Sequence, residues 1–277
     1  MNARTKNKLL RAILWVVLLV LGISMILPFV WTLSSSFKSN NEIFQIPYEW
    51  IPGELRVENY VEVWTAVPFM AYYLNTIKLS IIVTIGQVIT CSLAAYSFSK
   101  MYYPGRDKIF LCYLATMMVP WHAIMIPQFI IVKNMGLYDS HWALILLQLF
   151  SAFGVFLMRQ YMMGVPNELS EAARIDGCGE LEIYARVIMP ICKPAVATLI
   201  IFTFNFMWND YMGPMIYLTS DHLKTIQIGL ASFSSLYRTD YGPIMAGTVC
   251  ALIPMVLIFV CAQKYLIEGV AFSGIKG

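Results

Sequence analysis

The sequence predicts an all-α, polytopic membrane protein: six transmembrane helices, with a cytoplasmic helical hairpin between the fourth and the fifth. Of the 277 residues, 59% are apolar and 13% charged, and the mean hydropathy is +0.67. Soluble domains carry roughly 25% charged residues. The apolar residues also fall in blocks of about 20, the length that crosses a hydrocarbon core of about 30 Å. A soluble globular fold is excluded, and the whole chain, 1–277, reads as a single transmembrane domain.

The first span, about 12–33, lacks a small-residue cleavage site after a short apolar core, so it is expected to be retained rather than removed as a signal peptide. Residues 45–53 of the connection that follows are turn-rich and extended. The second span, about 76–98, opens beside Lys78, whose long stem can snorkel to the interface. The third, about 109–132, contains Pro120 and Pro127. Each proline interrupts the hydrogen-bond ladder and frees backbone polarity that only protein or water can satisfy. The fourth, fifth and sixth spans are expected at about 142–160, 195–216 and 243–263. Cys91, Cys112, Cys250 and Cys261 lie inside spans, and Cys178 and Cys192 in the hairpin. They read as small apolar residues, not as a disulfide framework.

Lysine and arginine set the orientation. Arg4, Lys6, Lys8 and Arg11 precede the first span, Lys100, Arg106 and Lys108 link the second to the third, Arg159, Arg174, Arg186 and Lys193 flank or occupy the hairpin, and Lys264 and Lys276 follow the last span. These thirteen of the 19 basic residues fall on one side. The first outer connection instead carries Glu42, Glu49, Glu54, Glu58 and Glu62. Both termini and the hairpin are therefore expected in the cytoplasm.

The hairpin covers about 161–194. Pro166 suits the first turn of a helix, and Glu168 and Glu171 fall near the positive end of its dipole. Ala172 and Ala173 keep one face small, and Gly177 is placed for a left-handed cap. A second helix is expected from about Glu180, with Leu181, Tyr184 and Ile188 as one apolar stripe, before Pro190 and Pro194 break the chain. Such a hairpin either lies on the membrane with its acids as caps, or presents its helix to a partner.

Glu171-Ala172-Ala173, then Asp176-Gly177, then Pro190 thirteen residues after the glycine, resembles the signature loop of ABC importer permeases. Cys178 and Met189 depart from that pattern, where Ala and Leu are usual. Trp208-Asn209-Asp210-Tyr211, the run Gln263 to Gly269 and the ending Gly274 to Gly277 are similar to the carbohydrate branch, in particular to the smaller permease subunit of importers of the maltose and multiple-sugar type. The resemblance implies a coupling helix that docks in a groove of a separate cytoplasmic ATPase dimer, with Glu171 as its charged contact and Gly177 as its exit turn. It also implies a second permease, an extracytoplasmic solute-binding protein and a sugar substrate, with an oligosaccharide favoured, in a bacterial cytoplasmic membrane. ATP and magnesium would be held by the ATPase, with no cofactor in this chain and no nucleic acid partner. No Gly-x-x-x-x-Gly-Lys-Ser/Thr phosphate loop occurs in the sequence, which agrees with a motor on another chain.

Polar residues inside spans are costly and mark candidate pathways. Asn205 and Asn209 stand one helical turn apart with Asp210 beside them, and Trp208 or Tyr211 offers a ring for a sugar; the alternative is hydrogen bonding to a partner helix. Trp121, His122 and Gln128 can face a cavity or pack in a kinked helix, and Gln87 and Gln148 are weaker candidates. His122 stands alone, with His141 and His222 in outer connections, so no metal-ligand spacing is present. The outer connection 217–242, with Asp221, His222, Lys224, Arg238 and Asp240, is either a contact for the delivery protein or a solvated loop. By the same resemblance the C-terminal tail contacts the ATPase. A secondary ion-coupled sugar carrier is the competing class; it calls for inverted repeats and intramembrane acids, and only Asp210 qualifies. A permease for a glycerol phosphodiester is the other alternative.

Overall fold

The computed structural model describes residues 3–234 and 239–273, without the side chains of 3–6, 9 and 265–273; Arg238 and the Gly274–Gly277 tail lie outside the described residues. The described residues are helical, with one isolated antiparallel bridge between Ser234 and Thr239. Among the described residues, four helices are long and apolar enough to cross a membrane, or up to six spans if two sharply bent pairs count as one each. The chain forms two compact units.

The first unit holds Met1–Phe69 and Leu230–Ile253. Its helix Ala3–Ser35 runs through Pro28, and the most apolar stretch of that helix has no buried residue. The connection that follows is ordered by side chains. Ser39 and Glu42 form a capping box for Asn40–Ile43, and the Ser39 amide and hydroxyl hold the Glu42 carboxyl below its usual range. Lys38 is fully buried with its ammonium 4.0 Å over the Tyr48 ring. Asn59 Nδ2 donates to the carbonyls of Ser36 and Lys38, and Asn40 Oδ1 accepts from the amides of Tyr241 and Gly242 where the last helix begins.

The second unit holds Met70–Gly229 and Pro254–Gly277. The second span is one unbroken helix, Phe69–Lys100, longer than expected at both ends. The third is not a kinked rod: Arg106–Met118 and Trp121–Asn134 meet at 97°. The cause is local, because Val119 stands before Pro120 and takes the extended conformation that a following proline imposes. Pro127 leaves its helix intact. The fourth span is also interrupted, His141–Gln148 and Ala152–Met163 being separated by Leu149-Phe150-Ser151. The fifth ends at Trp208 and resumes as Met212–Tyr217, short of the continuous 195–216 expected.

The spans touch where side chains are small. A Cβ at Gly154 would lie 2.7 Å from Cys91 Sγ and 3.0 Å from Leu199 Cδ1, so this glycine lets the second, fourth and fifth spans meet. Gly154→Ala is expected to destabilise the protein by about 1–3 kcal/mol through overpacking. Pairing it with Cys91→Ala should restore part of that loss, measured by denaturant unfolding in detergent; equal losses in the single and double variants would refute the clash.

Before the fourth span, Asp139 adopts φ +56 and its Oδ1 accepts from the amides of Thr219 and Ser220 at 2.8 and 2.9 Å. The Ser220 hydroxyl first, then those amides, hold its pKa down to about 2. A depressed folded pKa contributes stability above the unfolded value of about 4, and that contribution is lost as pH falls through 2. Amide-exchange protection at Thr219 and Ser220 should therefore fall between about pH 4 and pH 2, and an Asp139→Asn variant should lack that step.

Candidate functional site

The hairpin is built as a capped helix and a braced return arm. Pro166 occupies the N-cap of Asn167–Ile175, one position before the expected first turn. At the other end Gly177 has φ +86, its amide donates to the Arg174 carbonyl, and the Cys178 amide donates to that of Ala173. This pair of bonds closes a Schellman cap, which needs a residue at ease in the left-handed region. Ser170 and Ala173 are buried against the hairpin's own bundle, whereas Glu171, Ala172 and Asp176 are exposed. Thus Ala173 serves internal packing, and Ala172 is the small residue on the free face.

The return arm corrects the expected stripe. Ile183–Ile188 is wound as a π-helix, in which residues five apart stack. Ile183 and Ile188 are both buried, while Leu181 is 74% exposed. With Ile175, 87% exposed, and Leu169, it adds apolar surface beside the exposed Glu171. Pro190 falls in the short helix Met189–Ile191, and the arm meets the fifth span, Lys193–Trp208, at 82°.

The hairpin is fastened to the second span at several points. Lys100 Nζ donates to Asn167 Oδ1 at 2.9 Å, Tyr96 Oη donates to Glu180 Oε2 at 2.6 Å, and the hydroxyls of Ser92 and Tyr184 are 2.7 Å apart. Arg159 is buried, with Nε donating to the Phe98 carbonyl, Nη2 paired with Asp107 at 2.8 Å and its guanidinium over the Phe110 ring.

The interrupted fourth span creates a second feature. Gln87 Nε2 donates to the Gln148 carbonyl at 2.6 Å, Thr90 Oγ1 to that of Leu149 at 2.6 Å, and Cys91 Sγ to that of Ser151 at 3.5 Å. Thr203 Oγ1 donates to Gln87 Oε1 at 2.8 Å, and Ser151 Oγ caps the Gly154 amide. Backbone freed inside a membrane must find partners in protein or water, and here the second span supplies them. Beside the break lies a cleft of about 400 Å³, lined by Gln87, Gln148, Ser151, Thr203 and Asn205 among phenylalanines including Phe150 and Phe206. Amides and hydroxyls beside aromatic rings suit a hydroxylated solute.

Of the expected pathway residues, Asn205 lines this cleft together with the weaker candidates Gln87 and Gln148, and the others stand elsewhere. Trp208 is 1% exposed, stacked on Phe204 and edge-on to Tyr73, so its ring is closed off as a core group of the bundle. Asn209 caps the helix end and donates to the Asn205 carbonyl at 2.9 Å. Asp210 Oδ1 accepts from the Gly213 amide, and its Oδ2 is buried without a hydrogen-bond partner. Trp121 donates to Gln128 Oε1 at 2.9 Å, and His122 is exposed, edge-on to Trp121. The larger roles of Gln87 and Thr203 were signalled in the sequence only by a glutamine inside a span. Phe150 and Ser151 carried no signal, because no proline or glycine marks the break.

The chain matches, over residues 87–271, the profile of a family described as binding-protein-dependent transport system inner membrane component. It is 31% identical over 262 residues to an arabinooligosaccharides transport system permease protein of Bacillus subtilis, covering 94% of this chain and 93% of that one. It is 30% identical over 248 residues to a lactose transport system permease protein of Rhizobium radiobacter, with 90% of each covered. An sn-glycerol-3-phosphate transport system permease protein of Yersinia pestis is 29% identical over 266 residues, 93% of this chain and 95% of the relative. Among solved structures, a chain of a bacterial ABC transporter involved in the import of the acidic polysaccharide alginate superposes with a TM-score of 0.82 at 24% identity, covering 96% of this chain and 99% of that one. That likeness is one of fold.

Proposed function

We propose, because this chain belongs to the family of binding-protein-dependent transport system inner membrane components, that it forms half of the translocation pore of an ATP-driven oligosaccharide importer. The observation that carries the coupling part of this reading is the capped Asn167–Ile175 helix. It offers Glu171, Ala172 and the apolar side chains of Leu169 and Ile175, with Asp176 at its C-cap and Leu181 on the return arm, all of them exposed. A charged helix with a small-residue face and an apolar rim suits a groove on another protein, and an ATPase dimer that closes on ATP is the partner able to move it. Gly177 and Pro190 set how the helix leaves and how the arm returns. A second permease chain is supported by the first helix, whose apolar length is unburied in its own chain. The distribution of basic residues supports a topology with both termini and the hairpin on the cytoplasmic side of a bacterial inner membrane.

Relatives named for arabinooligosaccharides and lactose support a sugar substrate, and Asn205, with Gln87, Thr203 and the cleft phenylalanines, is the lining that it would meet. Nothing in this role requires chemistry on the solute. Proteoliposomes holding the two permeases and the ATPase dimer test the reading, with labelled di- to tetrasaccharides and glycerol 3-phosphate offered outside. Uptake should need internal ATP and external solute-binding protein, persist with ionophores, and favour the sugars. Uptake driven by an ion gradient without ATP would overturn it in favour of a secondary carrier, and preference for glycerol 3-phosphate would overturn the sugar assignment.

A further inference from the structure

We propose that Glu180 is a positioning residue for transport, which with Tyr96 and Arg174 forms a strut carrying movement of the Asn167–Ile175 helix into the second span. The proposal rests on the reading of the chain as an ATP-driven permease and adds the route by which force enters it.

The helix is joined to the return arm by Gly177-Cys178-Gly179. A Cβ at either glycine would meet nothing within 4 Å, so nothing packs against the two glycines themselves. Cys178 between them rests on the bundle core, which Ala173 of the helix and Ile183 of the arm share with Tyr96. A polar side-chain bridge spans the turn in addition to that packing. Arg174 Nε donates to Glu180 Oε1 at 2.8 Å, and Tyr96 Oη donates to Glu180 Oε2 at 2.6 Å. One carboxylate thus ties the helix before the turn, the arm after it and the second span.

Tyr96 can take the load because it is held. It is buried, its ring stands edge-on to Tyr184 with centroids 5.6 Å apart, and the Tyr184 hydroxyl reaches Ser92 one turn along the same span. From there the path is a single unbroken helix, Phe69–Lys100. Gln87 lies about 14 Å further along that helix, at 1.5 Å per residue. Gln87, Thr90 and Cys91 grip the carbonyls of the interrupted fourth span. A displacement at Glu180 therefore arrives at the break and at the cleft beside it. Exposed ion pairs contribute little to stability, and Arg174 and Glu180 are each about two-fifths exposed. Removing the strut should consequently be felt in coupling rather than in folding.

The reconstituted complex provides the test, read as sugar taken up per ATP hydrolysed. Glu180→Ala and Tyr96→Phe should lower that ratio by about five-fold or more, the lower end of typical coupling energies. Glu180→Gln should largely preserve it, since the amide still accepts from Arg174 and can donate to the Tyr96 hydroxyl. Unfolding midpoint and complex yield should match the unmodified protein. An unchanged ratio overturns the proposal, as does a ratio that falls only in step with yield and midpoint. A second measurement needs neither ATP nor sugar. Nitroxide labels at the exposed positions Ile175 and Tyr102 should give a distance distribution that broadens in Glu180→Ala. Equal widths overturn the strut. Broadening in a complex whose unmodified form takes up no sugar with ATP overturns the functional reading, and upholds the mechanical link.

Discussion

Gly177→Pro is expected to cut ATP-driven uptake by about 30- to 100-fold, the equivalent of 2–3 kcal/mol, while the chain still reaches the membrane. Two costs combine. Gly177 sits at φ +86, where an ordinary L-residue loses about 1–2 kcal/mol and proline, fixed near −65°, has no allowed conformation. Proline also lacks the amide that bonds to the Arg174 carbonyl, a loss of about 1 kcal/mol. The cap must rebuild, and the helix then leaves at another angle from the one its partner groove accepts. Gly177→Asn is the control, because asparagine visits the left-handed region and keeps its amide. Uptake and hydrolysis in proteoliposomes, with membrane-fraction abundance, decide the matter. Wild-type uptake in the proline variant would remove this turn from the mechanism.

Gln87→Leu should destabilise the protein by about 2–4 kcal/mol, from two buried polar groups losing their partner at about 1–3 each. The groups are the Gln148 carbonyl and the Thr203 hydroxyl. Side-chain bonds between membrane helices are often worth less, about 0.6 kcal/mol, because the separated helices find other partners. The Gln148 carbonyl differs: its helix stops at that residue, so no helical amide four residues on is available to it. Thr203→Val, which removes only the hydroxyl that donates to Gln87 Oε1, should cost about 1 kcal/mol. Unfolding in mixed detergent micelles compares the two. Equal losses would show that the broken segment does not depend on Gln87.

Hydropathy located the membrane-crossing segments because burial in lipid is written residue by residue in side-chain chemistry. Gly177 was legible for a similar reason, since a glycine after Ala172, Ala173 and Arg174 is a local stop signal. The right-angle turn at Val119 was half legible: Pro120 marked the place, though an extended residue before a proline does not by itself tell a kink from the 97° observed. Leu181 falls off the buried stripe because the arm beyond it is π-wound over Ile183–Ile188, so burial there repeats at five residues and not at 3.6. Trp208 and Asn209 shared a polar-looking patch, yet their fates are opposite, one sealed between Phe204 and Tyr73 and one capping a helix. The break at Leu149 to Ser151 was invisible because its partners stand about 60 positions away in the chain.

That distance bears on how the protein is made. As an isolated segment in lipid, the stretch from His141 to Met163 satisfies its carbonyls most cheaply as one continuous helix. The interruption becomes affordable only once Gln87, Thr90 and Cys91 stand beside it. During synthesis the second span leaves the ribosome first, so these donors already wait in the bilayer when the fourth arrives. The interruption is thus expected to form at assembly, when the fourth span packs against the second, rather than when it enters the membrane.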